Sequence, residues 1–325
     1  MIVVGVRKLI ITFIKERPIY FLAAALFLIC AAAIPYFLTP RNLTNILYQS
    51  SDLIIVASGL TFVLLNGGID FSITAVLGLA SITGALLMNL NDGLLMDSPF
   101  NVPLTVMIMI CIGLFIGTVN GIAVAKLKMP SFIATISTNL IFSGLSLALA
   151  RSRPVSNLPA SFKAIGNTKI FEIPVAFLIA VAVVLILNFL LGRTIFGKYV
   201  YSIGTNMKTS LVTGLPVRKT IFFLFLISSG VASLGAIVST ARIGVGMPAL
   251  GAERFIDFIS AVVLGGTSIF GGAGTIIGTM FGALFVAILS NALSMLGLQW
   301  YFIMVAKGVI ILIIAAFDAV KRFGN

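Results

Sequence analysis

The chain has 325 residues, of which 60% are hydrophobic and 9% charged, with a formal net charge of +12 and no histidine. Soluble domains carry about a quarter charged residues, so this composition excludes an ordinary soluble fold, and the absence of histidine excludes His-ligated metals and His acid–base chemistry. The basic residues stand at the ends of apolar runs rather than in a patch, which fits topology and lipid headgroups and not nucleic acid.

A spanning helix needs roughly 20 apolar residues, and the chain supplies about ten such segments in order. After a basic start with Arg7, Lys8, Lys15 and Arg17 comes span 1, Ile19–Leu38. It is too long for a signal-peptide core and has no convincing small-residue cleavage site, so it is expected to remain uncleaved. Span 2 is Tyr48–Asn66 and span 3 Phe71–Asn89; between them Gly67, Gly68 and Asp70 interrupt the apolar run. The acidic connection NLNDGLLMDSPFN leads to span 4, Val102–Ala125, which ends at Lys126 and Lys128, and span 5 is Ser131–Ala150, rich in Ser, Thr and Asn. A loop from Arg151 to Glu172 precedes span 6, Ile173–Leu191. Spans 7 to 10 are Ile221–Ala241, the short Phe255–Leu264, Thr275–Leu296 and Tyr301–Phe317. Cys30 and Cys111 lie inside apolar runs and read as small buried hydrophobes, with no disulfide or metal pair. The fold class is therefore an all-α integral membrane protein, one transmembrane domain over residues 1–325.

Gly192–Thr220 is the long cationic segment, with Arg193, Lys198, Lys208, Arg218 and Lys219 and no acid. Lys and Arg resist translocation, which places it in the cytoplasm together with both termini. This topology puts 13 of the 21 basic residues inside and 7 outside, with Lys307 within span 10. Four of the outer seven fall in the 151–172 loop, against the trend.

Span 4 contains Gly113, Gly117 and Gly121, and span 9 is lined by Gly274, Gly278 and Gly282. Each set is GxxxGxxxG, which lines one helix face with glycine and lets a neighbouring backbone approach closely. Such patterns are common in membrane helices. The sharper reading makes spans 4 and 9 equivalent and divides the chain into two inverted five-helix halves, residues 1–171 and 172–325.

Two interruptions are candidate functional sites. In Asn66-Gly67-Gly68-Ile69-Asp70-Phe71-Ser72, Asp70 either caps span 3 at a tight surface turn or faces a cavity or pathway. In Val262–Thr275, five glycines in ten residues make a break, tolerated only against protein or a water-filled cavity. That break presents Thr267, Ser268 and Thr275. Asp257 and Lys307 are further intramembrane charges; Lys307 can pair with Asp70 or Asp257, or snorkel. Ionisable groups are few and scattered, which argues against a proton-coupled carrier. GRTIFGKY (192–199) matches a phosphate loop except at Tyr199, where magnesium needs Ser or Thr, and an apolar run rather than a strand precedes it. The chain is expected to be no enzyme, without catalytic or metal-binding residues, and any ATP must sit on another subunit.

Three blocks carry a family resemblance: LTFVLLNGGIDFSITAVLGL (60–79), GKYVYSIGTNM…TGLPV (197–217) and AVVLGGTSIFGGAGTIIGT (261–279). The chain resembles the membrane-spanning permeases of ribose-type sugar ABC importers, whose blocks include GGIDLSVG and GRYIYAIGGN…SGINV; the superfamily also holds branched-chain amino acid and nucleoside permeases. The likeness runs from about residue 42 to 321. It implies a bacterial inner-membrane complex of two permeases (copies or paralogues), an ABC-type ATPase holding ATP and magnesium, and an extracytoplasmic solute-binding protein. Residues 193–219 resemble the segment that seats in the ATPase, with Gly197, Tyr199, Tyr201, Gly204, Asn206 and Gly214 as coupling positions; Tyr199, Tyr201, Ile203, Leu211 and Leu215 would be its apolar anchors. The translocation pathway would involve Asn66, Asp70, Ser72, Thr138, Asn139, Asp257, Thr267 and Ser268. The chain departs from the pattern at Thr205, Met207, Leu211 and Phe255. The expected solute is small and neutral, a monosaccharide, suited to a pathway of Ser, Thr, Asn and Gly that includes Ser137. The alternatives are a nucleoside or branched-chain amino acid permease and, from another class, an ion-coupled secondary transporter.

Overall fold

Prolines mark where many of the helices begin. The first turn of a helix leaves its amide hydrogens unpaired, so a residue without one stands there at no loss. In the computed structural model, which describes residues 18–309 and 312, Pro130, Pro159, Pro174 and Pro216 each immediately precede a helix, and Pro40 opens one.

In chain order the helices are α1 (Pro18–Ala33), α2 (Pro40–Leu65), α3 (Ile73–Met88), α4 (Asn101–Ala125), α5 (Ser131–Leu149) and α6 (Ala160–Asn167). A two-residue hairpin, β1 (Lys169–Ile170) with β2 (Ile173–Pro174), leads into α7 (Val175–Arg193). Then come α8 (Ile195–Thr205), α9 (Met207–Val212), α10 (Val217–Ile243), α11 (Phe255–Leu264), α12 (Ile276–Met295) and α13 (Trp300–Val309). Among the described residues six helices are long and apolar enough to cross a membrane: α2, α4, α5, α7, α10 and α12. Helices α1, α3, α11 and α13 are shorter and apolar. The basic N-terminal start, the end of span 10, and Lys321 and Arg322 lie outside the described residues.

Helices α2 and α10 form the centre and are the most buried of the six. Helix α10 packs on α4, α2 and α3, and α2 packs on α7, α12 and α11. Between membrane helices there is little hydrophobic drive, so small residues that admit close backbone approach decide where helices meet. On α4, Gly113, Gly117 and Gly121 all face α10; a Cβ at Gly113 would stand 2.5 Å from the Ser229 carbonyl. On α12, Gly278 and Gly282 face α11, and a Cβ at Gly278 would stand 2.1 Å from the Gly265 carbonyl. Gly274 lies in the break before α12, against Thr267.

Two connections turn back into the bundle. After Leu65 the chain climbs along α2: Gly68 N–H donates to the Val63 carbonyl at 3.1 Å, and Asp70 reaches Ser228 of α10, whose backbone lies beside Gly59. Residues 66–72 are therefore not a surface turn, and α3 starts part-way along the bundle. From the opposite end, α10 stops at Gly244 in the left-handed region (φ 73°), and residues 244–254 run down α3. Gly246 meets Ala85, Pro248 meets Gly78 and Gly251 meets Leu77. Helix α11 is short because the chain has already descended before Phe255, not only because the glycine break ends it.

The 151–172 loop is folded. Tyr48 Oη donates to the Asn167 carbonyl (2.9 Å), and Asn167 Nδ2 donates to the Ala241 carbonyl (3.0 Å) at the end of α10. Its four basic residues thus sit on an ordered cap at the α2 N-terminal end of the bundle, the end opposite α8 and α9.

Candidate functional site

The climbing segment 66–72 is held by a sealed polar relay. Asp70 is fully buried; its Oδ1 accepts from Ser72 N–H (3.0 Å) and Ser72 Oγ (2.6 Å), and its Oδ2 from Ser228 Oγ (2.8 Å). Asn120 Nδ2 donates to Ser72 Oγ (2.7 Å), and Thr138 Oγ1 donates to Asn120 Oδ1 (2.8 Å). A buried carboxylate is tolerable when such donors surround it. Ser72, the residue before α3, is already in helical conformation, and Asp70 accepts its amide hydrogen two residues on, as an N-cap carboxylate does. Asp70 both caps the start of α3 and pins the re-entrant segment to α10. Asn139 lies outside this relay, donating to the Phe71 carbonyl and to Thr74 Oγ1, both at 2.6 Å.

The descending segment is pinned in the reciprocal way. Arg254 grips Asp52 of α2 with both guanidinium nitrogens, and Ser239 of α10 donates to the same carboxylate. Three residues on, Asp257 accepts from Lys307 Nζ at 2.9 and 3.0 Å, which selects Asp257 over Asp70 as the lysine's partner. Arg242, Arg254, Asp257, Lys307, Gln49 and Ser290 line a polar cavity of about 420 Å³ there. Asp52 and Arg254 escaped sequence reasoning. The signal was present in Ser50-Ser51-Asp52, an acid inside an apolar run, and its weight came only with its partner 202 residues away.

At the other end of the bundle, α8 is welded to both membrane breaks. Gly272 N–H donates to the Leu65 carbonyl (2.8 Å), and Gly204 packs on that pair; a Cβ there would lie 1.9 Å from the Leu65 oxygen and 2.8 Å from the Gly272 nitrogen. Tyr201 Oη donates to the Gly274 carbonyl at 2.7 Å. Gly197 packs on the Leu191 carbonyl, and Asn206 Oδ1 accepts from Thr209 N–H, capping α9. Gly214 takes φ 78° in open space. Ile203 is 2% exposed within the chain's own core, so it is no free anchor; Leu211 is exposed, and Tyr199 and Leu215 are half-buried.

In the glycine break, Thr267 is buried and its Oγ1 has no hydrogen-bond partner among the described residues. Ser268 accepts the Phe270 amide hydrogen. Asn66 Oδ1 is also buried and unpartnered among the described residues, and it lines a cavity beneath α9. No group of three or more Cys, Asp or Glu side chains among the described residues could hold a metal.

Residues 42–314 match the family model described as branched-chain amino acid transport system, permease component. The ribose import permease protein of Haemophilus influenzae is 32% identical over 310 residues, 94% of each chain. That of Bacillus subtilis is 35% identical over 289 residues, covering 88% of this chain and 87% of its own. The D-allose transport system permease protein of Escherichia coli is 34% identical over 301 residues, covering 92% and 90%. No solved structure matches the chain.

Proposed function

Because this chain belongs to the family of permease components of branched-chain amino acid transport systems, with sugar import permeases among its relatives, we propose that it is the membrane-spanning subunit of an ATP-driven importer of a monosaccharide. Ribose and allose are neutral polyhydroxylated solutes of the class expected for this chain's sparsely charged interior. The protein is a multi-pass membrane permease, and the energy comes from a separate ATPase that holds ATP and magnesium.

The observation that best supports this reading is the attachment of α8 to both membrane breaks. A push on α8 and α9 reaches the end of α2 through Gly204 and the glycine break through Tyr201 and Gly272. Residues 193–219 are thus the proposed ATPase-coupling segment, on the cytoplasmic side with both termini. Tyr201, Gly204 and Gly197 transmit the push inward, whereas Tyr199 and the exposed Lys198, Lys208 and Lys219 face the ATPase. Ten spans follow if α1, α3, α11 and α13 are counted with the six long helices.

The contact pattern supports two related halves, 1–171 and 172–325. Helix α4 meets α10 as α12 meets α2, and α3 meets α10 as α11 meets α2. Asp70 pins one re-entrant segment to α10; Arg254 pins the other to α2. We place the translocation pathway against a second permease, beside α5, which is the least buried long helix and exposes Ser137. Asn139 sits on α5 itself, while Asp70, Ser72 and Thr138 hold the re-entrant backbone in place. The folded 151–174 cap would face the extracytoplasmic binding protein.

The test is a pull-down after mild detergent extraction, comparing the native chain with one in which Tyr199–Gly214 is replaced. Co-purification of an ATPase with the native chain alone supports the coupling segment and the class. A stable membrane protein with no ATPase in either sample would instead point to a carrier working alone.

A further inference from the structure

Beneath α9 lies a cavity of about 490 Å³, within the ~300–1,000 Å³ range of small-molecule sites. Its walls are mostly apolar, including Val63, Val124, Leu224 and Phe225, and Met207 and Leu211 of α9 close it. Lys128 and Arg218 also line it, both exposed and neither in an ion pair among the described residues. Lys128 holds φ 57°, in the left-handed region that non-glycine residues adopt uncommonly. The remaining polar side chains are Ser131, whose Oγ already accepts the Ile69 amide hydrogen, and Asn66, whose buried Oδ1 lacks a donor.

A neutral sugar would find few hydrogen-bonding groups here and much hydrocarbon. A free phosphate would use the two cations and leave the apolar walls wet. An amphiphilic anion uses everything: phosphate between Lys128 and Arg218, acyl carbons against the valines and Phe225, and a headgroup hydroxyl donating to Asn66 Oδ1. Basic pockets between membrane helices on the cytoplasmic side take anionic headgroups in this manner. We propose that the cavity seats an anionic inner-leaflet phospholipid, such as phosphatidylglycerol, between the bundle and the coupling segment. The assignment rests on the orientation proposed above, which puts α9 at the cytoplasmic surface. Met207 and Leu211 would then ride on the lipid, making the coupling of ATP turnover to uptake depend on anionic lipid.

The experiment purifies the full chain with its ATPase from nanodiscs of phosphatidylcholine with or without phosphatidylglycerol, and counts retained phosphatidylglycerol by native mass spectrometry. Lys128→Gln and Arg218→Gln should each lower retention about fivefold, and the pair about thirtyfold. Lys126→Gln, which lies outside the cavity lining, should match the native chain. Excess inorganic phosphate should not displace the lipid. Equal retention in all variants, or displacement by phosphate alone, overturns the lipid assignment while ATPase co-purification leaves the importer reading standing. Loss of the ATPase from the native chain in every lipid would sink the importer reading instead, and the lipid count would still be read from the same spectra.

Discussion

Asp52 and Arg254 stand 202 residues apart in sequence and meet fork to fork inside the bundle, with Ser239 on the same carboxylate. Asp52 is 2% exposed and Arg254 31%, so Arg254 lines the polar cavity while its anionic partner is buried behind it. It fixes the depth at which residues 244–254 stop descending and α11 begins. Removing one partner strands a charge. Breaking a fully buried pair costs about 3–5 kcal/mol, and partial hydration of Arg254 brings the expected loss for Asp52→Asn or Arg254→Gln to about 2–3 kcal/mol. Thermal unfolding of the detergent-purified protein checks this; unchanged midpoints would show that the pair does not hold the segment. The double variant Asp52→Leu/Arg254→Met should recover most of the stability and still lose uptake, because the segment is no longer pinned.

Asp257 and Lys307 are both largely enclosed, at 17% and 15% exposure. Helix α13 is thereby tied to α11 by charge. Lys307→Met alone should destabilise more than the double Asp257→Asn/Lys307→Met, with a coupling of about 1–3 kcal/mol in the double-mutant cycle. A coupling near zero would mean that the lysine is held by solvent and not by the aspartate.

The six long helices were legible because hydrocarbon thickness sets their length, and apolar runs of that length show in the sequence. Breaks at 66–72 and 265–275 were legible from glycine density. Their direction was not. Hydropathy leaves 244–254 as a connection between spans and Asp70 as either a turn cap or a cavity residue, whereas both segments run into the bundle, with Asp70 bonded to Ser228 and Arg254 to Asp52. Such pairings span 158 and 202 residues, and no local pattern specifies them. Gly204 illustrates the same limit: its place in a cationic segment suggested contact with a partner, and its backbone in fact seals against Leu65 and Gly272.

Gly204→Ala tests that seal. A Cβ 1.9 Å from a carbonyl oxygen has no rotamer to escape into, so α8 must lift from the two breaks. Sugar uptake should fall by about tenfold or more, corresponding to ~1.4 kcal/mol or more of lost coupling, while the ATPase still co-purifies. Gly192→Ala, where nothing lies within 4 Å of the new carbon, should leave uptake intact. Normal uptake by Gly204→Ala would show that α8 moves independently of the membrane breaks.

Gly278 and Gly144 distinguish packing from mere glycine content in the spans. At Gly278 an added Cβ would stand 2.1 Å from the Gly265 carbonyl, so α12 must back away from α11. Overpacking of this kind costs about 1–3 kcal/mol, and Gly278→Ala should lower the unfolding midpoint accordingly, with Gly278→Leu worse. Gly144 lies within α5 with no atom within 4 Å of its added carbon. There alanine meets no clash and gains up to about 1 kcal/mol of helix propensity, so Gly144→Ala should hold or raise the midpoint. If both variants unfolded together, the loss would come from the glycine backbone itself and not from close approach between α11 and α12.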